Sequence, residues 1–276
     1  MKLLVTTDFS VNSKGAIRFA QTLAKQSKEI EVVFYHAIKF IKPTVWNDIF
    51  YSAYQQEEIE RLTAELKNFV YETIGQNINT FATGHFIIDS ATSTEKDIIR
   101  YAEENKIDII CMATRGAGLL RKIMGTHTSH IVNNASIPVL VIPSYYRSKA
   151  LKKVTYLSDF EHLKKEMEIV SKFSNTIKSS FEVLHYSSIV MDENEFEYNK
   201  NLFVSGEYND IKLNIVKNTL ELSLVERISQ FINKSKPDLL IMFTKREKSF
   251  FERIFLPSKS AELTYTTKVP VLIFSK

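Results

Sequence analysis

The 276-residue chain is poor in glycine, with seven, and has a single cysteine, Cys111. One cysteine excludes an intramolecular disulfide and with it the small disulfide-stapled classes. It fits a reducing compartment. No stretch approaches the roughly 18 uninterrupted apolar residues of a membrane helix. The opening run Met1-Lys2-Leu3-Leu4-Val5 is too short for a secretory leader and ends near Asp8. A cytoplasmic location without membrane association is therefore expected. Charge of one sign is not in excess either: 36 Lys plus Arg against 32 Asp plus Glu leave a formal +4. So small and dispersed an excess gives no electrostatic footprint for nucleic acid.

What is there suits a globular protein of about two domains, with 44% hydrophobic and 25% charged residues. The first half alternates two periodicities. Leu3-Leu4-Val5 reads as a strand, followed by Ala16, Ile17, Ala20 and Leu23 at helical spacing, with Ser10 or Ser13 as cap. Glu31 to Tyr35 reads as a second strand. Ile59, Leu62, Leu66, Phe69 and Val70 mark one face of a long helix that stops at Gly75. Phe86-Ile87-Ile88 follows as a strand. Thr92 and Glu95 form a capping box ahead of a helix bearing Ile98 and Ala102. Ile107 to Met112 lacks polar alternation, as in a strand buried on both faces. A short helix and Val139 to Ile142 close the half. This β-α alternation implies an α/β fold, a parallel sheet with helices on both faces and right-handed crossovers.

The second half repeats the order. Val154-Thr155-Tyr156-Leu157-Ser158-Asp159-Phe160 echoes Leu3 to Phe9. His185 echoes His36, Lys236 to Met242 echoes Lys106 to Met112, and Val269-Pro270-Val271 echoes Ile137-Pro138-Val139. A duplicated domain follows, with its seam in Pro143 to Ser148. The expected division is residues 1–146 and 147–276.

Ligands bind open parallel sheets beyond the carboxyl ends of the strands, where strand order reverses. Two segments belong at that edge: Thr6-Thr7-Asp8, and the loop from Ala113 to Thr126, which holds Gly116, Gly118 and Gly125. Glycine lets backbone N–H groups approach a phosphate, and a following helix N-terminus favours an anion. Arg115, Arg121 and Lys122 add positive charge, and Thr126 a hydroxyl. The same glycines also serve a plain strand-to-helix turn. The loop is neither a Walker A sequence nor a Gly-x-Gly-x-x-Gly.

Thr7-Asp8-Phe9-Ser10, the fourth strand with its glycine loop, and Ala135-Ser136-Ile137-Pro138-Val139 together resemble the universal stress protein family. The likeness extends over the chain as two tandem copies, stronger in the first. It implies two tandem Rossmann-like domains, each an open five-stranded parallel sheet in order 3-2-1-4-5. It also implies ATP or a related adenine nucleotide as ligand, with Mg as a companion ion. Carried over by position, Asp8 lies at the adenosine part. Thr6 and Ala37 line the adenine pocket, Ala113 sits near the ribose, and Gly116, Gly125, Thr126 and His127 sit at the phosphates. Two departures stand out. Ala113 replaces the first motif glycine, and eight rather than nine residues separate Gly116 from Gly125.

The second domain's corresponding stretch, Thr244 to Ser258, has no glycine and carries Pro257, which has no N–H to offer. That domain is expected not to bind nucleotide and to pair with the first as an intramolecular pseudo-dimer. In the family such pairing runs through the last strands, here Val139–Ile142 and Val271–Phe274. Further homodimerisation of the tandem chain stays open. Lacking a dedicated acid/base arrangement, the chain is expected to regulate in stress physiology rather than to catalyse. The alternatives are slow ATP hydrolysis at the same cleft, and an interaction module without nucleotide. Cys111 reads as an inert core thiol, and His127 with His130 falls short of a Zn²⁺ ligand set. The run Val45 to Tyr51 could serve as a partner surface or a lid, and core packing beneath the long connection is the reading preferred over these.

Overall fold

Leu3, Leu4 and Val5 are wholly buried, which fixes the first strand at the centre of its sheet. The computed structural model describes residues 1–75, 84–114, 126–186, 193–216, 222, 224–244 and 269–275. They fall into two compact units, one ending at Ser148 and the next beginning at Lys149.

In unit 1 the order is β1 (Lys2–Thr6), α1 (Lys14–Gln26), β2 (Glu31–Ile38), α2 (Asp48–Ile74), β3 (His85–Ser90), α3 (Thr94–Glu104), β4 (Ile109–Ala113), α4 (Thr126–Asn134) and β5 (Val139–Ile142). All strand pairs are parallel, in the order β3-β2-β1-β4-β5. Leu4 aligns with Val33 on one side and Ile110 on the other, so the apolar runs coincide across the sheet centre. Helices α1 and α2 pack together, as do α3 and α4.

Unit 2 repeats this with β6 (Lys153–Ser158), α5 (Leu163–Thr176), β7 (Ser180–Tyr186), α6 (Glu193–Val204), β8 (Leu213–Val216), α7 (Leu224–Ser235), β9 (Leu239–Thr244) and β10 (Val271–Ser275). Its strands are also parallel, in the order β8-β7-β6-β9-β10.

The duplication reaches individual bonds. Asp108 accepts from the Lys2 amide at 2.6 Å, and Asp238 from the Lys152 and Lys153 amides at 2.9 and 3.0 Å. After the first strand of each unit a phenylalanine takes a left-handed backbone, Phe9 at φ 59° and Phe160 at φ 69°. Such angles are uncommon for a bulky residue. In both turns a hydroxyl two residues earlier holds the phenylalanine amide: Thr7 Oγ1 and Ser158 Oγ, each at 3.1 Å.

Helix ends differ from the sequence expectation in two places. Ser13 occupies the N-cap position of α1, but its hydroxyl donates to the Ser10 carbonyl at 2.8 Å instead of capping. At α3 the N-cap is Ser93, and Asp97, not Glu95, reaches back to the Thr92 and Ser93 amides, both at 2.9 Å. Gly75 ends α2 as expected, at φ 69°. The stretch Val45 to Tyr51 is not core: Val45, Ile49 and Phe50 are exposed. The buried side of α2 begins only at Leu62, so this stretch is not packed as core. Cys111 is fully buried, and burial pushes its thiol pKa up, in keeping with an inert thiol.

Candidate functional site

Strand β1 has β2 on one side and β4 on the other, so the chain winds away from it in opposite directions. The carboxyl ends of these three strands leave a crevice there. Thr6 ends β1, Ala37 lies one residue from the end of β2, and Ala113 ends β4. Alanines on both flanking strands contribute only methyl groups. A cavity of about 310 Å³ opens at this point. Its lining comprises Thr6, Thr7, Asp8, Ser10, Asn12 and Ser13 from β1 and its turn, and Tyr35, His36 and Ala37 from β2. Thr94 and Ile98 join from α3, Met112 and Ala113 from β4, and His127 and Thr128 from α4.

Of the residues expected from sequence, Thr6, Asp8, Ala37, Ala113 and His127 are brought together in this one cavity. Thr126 begins α4. Gly116 and Gly125 lie outside the described residues, as do Arg115, Arg121 and Lys122. The stretch 245–258 of the second half, with Pro257, also lies outside them.

The floor of the cavity is a chain of hydroxyls with determined directions. Ser13 spends its proton on the Ser10 carbonyl, so the 2.7 Å contact between Thr7 Oγ1 and Ser13 Oγ has Thr7 as donor. His36 Nδ1 lies 2.8 Å from the Thr7 carbonyl and must donate to it. The ring also packs on Phe9, with centroids 4.6 Å apart, and Phe9 meets Phe69 of α2 edge-on. These contacts fix the backbone that presents Asp8. Asp8 itself is exposed and lines the cavity, and its Oδ1 accepts from the Ser10 amide at 3.0 Å. Tyr35 donates to Asp89 at 2.8 Å, and Arg100 donates to the same oxygen at 2.8 Å. Burial, reinforced by Asp89, pushes the Tyr35 phenol pKa far up, so it stays a neutral donor.

At the other rim His127 Nδ1 donates to Glu95 Oε1 at 2.6 Å. Glu95 is held below the usual carboxylate range, first by its own backbone N–H in the opening turn of α3, then by His127. The expected capping role of Glu95 is thus replaced by a bridge between two helix N-termini.

Chemically, the lining offers hydroxyls, one exposed carboxylate and two imidazoles around a small apolar gap. Among the described residues no group of three His, Cys, Asp or Glu could hold a metal ion by itself. A Mg²⁺ carried by phosphates needs no such cage, because one carboxylate and water complete its shell. Asn12, Ser13, Tyr35, His36, Thr94, Ile98 and Thr128 were not foreseen as lining. The hydroxyl-rich run after Asp8 carried a signal for some. Thr94 and Ile98 carried none, since α3 reaches the crevice only through tertiary packing.

The corresponding place in unit 2 is built differently. Phe160 stacks on His185 with centroids 3.9 Å apart, and Phe196 of α6 lies 5.4 Å from the same ring. His185 is buried, with Nδ1 3.2 Å from the Ser158 carbonyl and Nε2 without a partner among the described residues. Burial holds its pKa down, at about 4.

A parallel α/β unit with its crevice at a strand-order reversal, made twice in one chain, defines the class of protein. The family model for "Universal stress protein family" matches residues 1–143, and the chain belongs to that family. It is 26% identical over 152 residues to universal stress protein MJ0577 of Methanocaldococcus jannaschii, covering 51% of this chain and 93% of that one. In fold the whole chain resembles a universal stress protein from Archaeoglobus fulgidus, with a TM-score of 0.67, 16% identity and coverage of 99% and 98%. It also resembles a Pseudomonas aeruginosa protein described as a putative universal stress protein, with a TM-score of 0.61, 15% identity and coverage of 99% and 92%. No helix among the described residues is long and apolar enough to cross a membrane.

Proposed function

We propose that unit 1 binds an adenine nucleotide, ATP or a close relative with its Mg²⁺, and that the protein regulates in a stress response rather than turning over a metabolite. One observation carries this reading. Five residues chosen for a nucleotide site line one cavity at the strand-order reversal. Its volume of about 310 Å³ matches the lower end of small-ligand sites, roughly 300–1,000 Å³. In this reading Thr6 and Ala37 line the place of the flat base, Asp8 accepts from a ribose hydroxyl near Ala113, and the start of α4 with His127 faces the phosphates. A bound nucleotide stabilises the form that holds it, which shifts assembly or partner choice.

Unit 2 does not take nucleotide in this reading. Phe160 and Phe196 cover His185, whereas its counterpart His36 lines an open cavity. The pairing of the two units through Val139–Ile142 and Val271–Phe274 belongs to the same proposal. It is supported by each being the last strand in its own unit's order.

The deciding experiment is mass spectrometry of small molecules released from freshly purified, denatured protein, followed by thermal shift with ATP, ADP and AMP. A nucleotide in the released fraction and a shift lost in Asp8→Asn support the reading. Absence of both returns the chain to a nucleotide-independent interaction module.

A further inference from the structure

The bond between Glu95 and His127 fixes where the histidine carries its hydrogen. An ionised carboxylate can only accept, so Nδ1 is the donor in the 2.6 Å contact with Glu95 Oε1. In the neutral ring Nε2 is then a bare lone pair, an acceptor like the carboxylate itself. Glu95 stays ionised in this arrangement, held first by its own backbone N–H and then by His127.

That tautomer is a poor partner for an anion. Phosphate oxygens that are ionised also only accept, so a neutral His127 has nothing but a lone pair to offer them. A proton added at Nε2 turns the ring into a cation with a donor on each nitrogen. It can then bridge Glu95 and a phosphate, both through charge-assisted bonds. The start of α4 suits an anion for a second reason. The helix begins at Thr126, so the amides of its first turn have no carbonyl within the helix to pair with. His127 and Thr128 of that turn both line the cavity, and the His127 side chain is 51% exposed, open to a proton from solvent.

The other ionisable groups around His127 are few among the described residues. Helix α3 and strand β5 pack against α4. Strand β5 brings only Val139 to Ile142. Helix α3 brings Glu95 and also Asp97, which already holds the Thr92 and Ser93 amides and Arg100. Asp8 and His36 line the same cavity, and His36 has its Nδ1 hydrogen committed to the Thr7 carbonyl. His130, one turn along α4, adds to the field that keeps Glu95 ionised.

We propose that nucleotide binding in unit 1 is proton-linked through His127: the imidazolium form holds the phosphates, Glu95 orients it, and binding draws a proton from solvent onto Nε2. This linkage rests on the nucleotide reading above and adds a regulation to it. Affinity for phosphorylated ligands rises as pH falls, because only the protonated ring has a donor left for them. Adenosine, without phosphates, gains nothing.

The test is calorimetric titration of the full chain with ATP and with adenosine from about pH 5.5 to 8.5, the range over which imidazole changes charge. Each titration is repeated in buffers of different ionisation enthalpy, so that the difference in heat counts protons taken up. His127→Gln is the reference: its amide donates to phosphate without titrating, and the titration of the ligand's own phosphate cancels in the comparison. The native-to-variant ratio of ATP affinity should rise about tenfold from the alkaline to the acid end. Proton uptake with ATP should exceed that of His127→Gln, and Glu95→Gln should reduce the excess. Adenosine should show no such excess. The His127 side chain is half exposed, so the variant should melt within a few degrees of the native protein. A ratio that stays flat while ATP binds would overturn the linkage and leave the nucleotide reading in place. An equal excess with adenosine would also overturn it, by assigning the proton to a group away from the phosphates. No ATP binding at any pH would overturn both.

Discussion

Glu95 in the first turn of α3 and His127, which lines the unit 1 cavity from the first turn of α4, are joined by a 2.6 Å hydrogen bond. Residues 32 positions apart in sequence thereby hold two helix N-termini against each other. If a nucleotide's phosphates lie here, the pair orients the remaining imidazole nitrogen toward them. His127→Ala should lower ATP affinity about tenfold, roughly 1.4 kcal/mol, with adenosine affinity unchanged. Glu95→Gln should have a smaller effect of the same kind. The pair is substantially exposed, so neither change should cost more than about 1 kcal/mol of stability. Calorimetric titration of both ligands checks this, and an equal loss for adenosine would place His127 away from the phosphates.

Asp8 has two tasks that substitution can separate. Its Oδ1 holds the Ser10 amide, and the side chain lines the cavity. Asp8→Asn keeps an acceptor for the turn and removes the charge, so thermal stability should barely change while nucleotide affinity drops. Asp8→Ala should lose both, with about 1 kcal/mol of stability. Identical nucleotide shifts in the native protein and Asp8→Asn would remove Asp8 from the site.

Gly15 is needed for close approach. A Cβ there would sit 2.6 Å from the Pro143 carbonyl oxygen and 3.0 Å from that of Ser144, both backbone atoms that cannot swing aside. Gly15→Ala should destabilise unit 1 by about 1–3 kcal/mol even though alanine favours helix. Urea unfolding gives the number. A stabilised variant would show that α1 can move away from the chain after β5.

His185 gives unit 2 a defined acid response. Its pKa is near 4 in the folded state against about 6.5 unfolded, because burial disfavours the imidazolium. Between those values the unfolded chain takes up a proton that the native one refuses, so stability falls as pH drops through the window. The contribution is about 3 kcal/mol once pH is below 4. In His185→Gln this part of the pH dependence should vanish, and the stability curves of the two proteins should converge toward acid. Parallel curves from neutral pH down to 4 would refute the assignment.

The elements were legible because their causes are local. Unbroken apolar runs such as Ile107 to Met112 give buried strands, and Leu62, Leu66 and Val70 at helical spacing give the core face of α2. The duplication could be read because the two copies keep the same landmarks in the same order. Asp8, Ala37 and Ala113 could be placed at one crevice because strand ends are readable and the sheet order follows from family likeness. The hydroxyl relay through Thr7, Ser13 and Ser10 could not, nor could the clasp between Glu95 and His127. Each depends on where a side chain turns after the backbone has closed.

Trp46, Ile49 and Phe50 show the boundary most plainly. Apolar residues in a sequence declare that they gain by leaving water, but not what will cover them. The sequence by itself determined two parallel α/β units and the edge at which a ligand would sit, since periodicity and strand ends are properties of neighbouring residues. Only the tertiary structure decided that α3 lends Thr94 and Ile98 to the cavity, that unit 2 covers its own histidine, and that half of α2 stands uncovered. Those outcomes depend on packing between segments far apart in the chain, where shape and available volume settle which surface is buried.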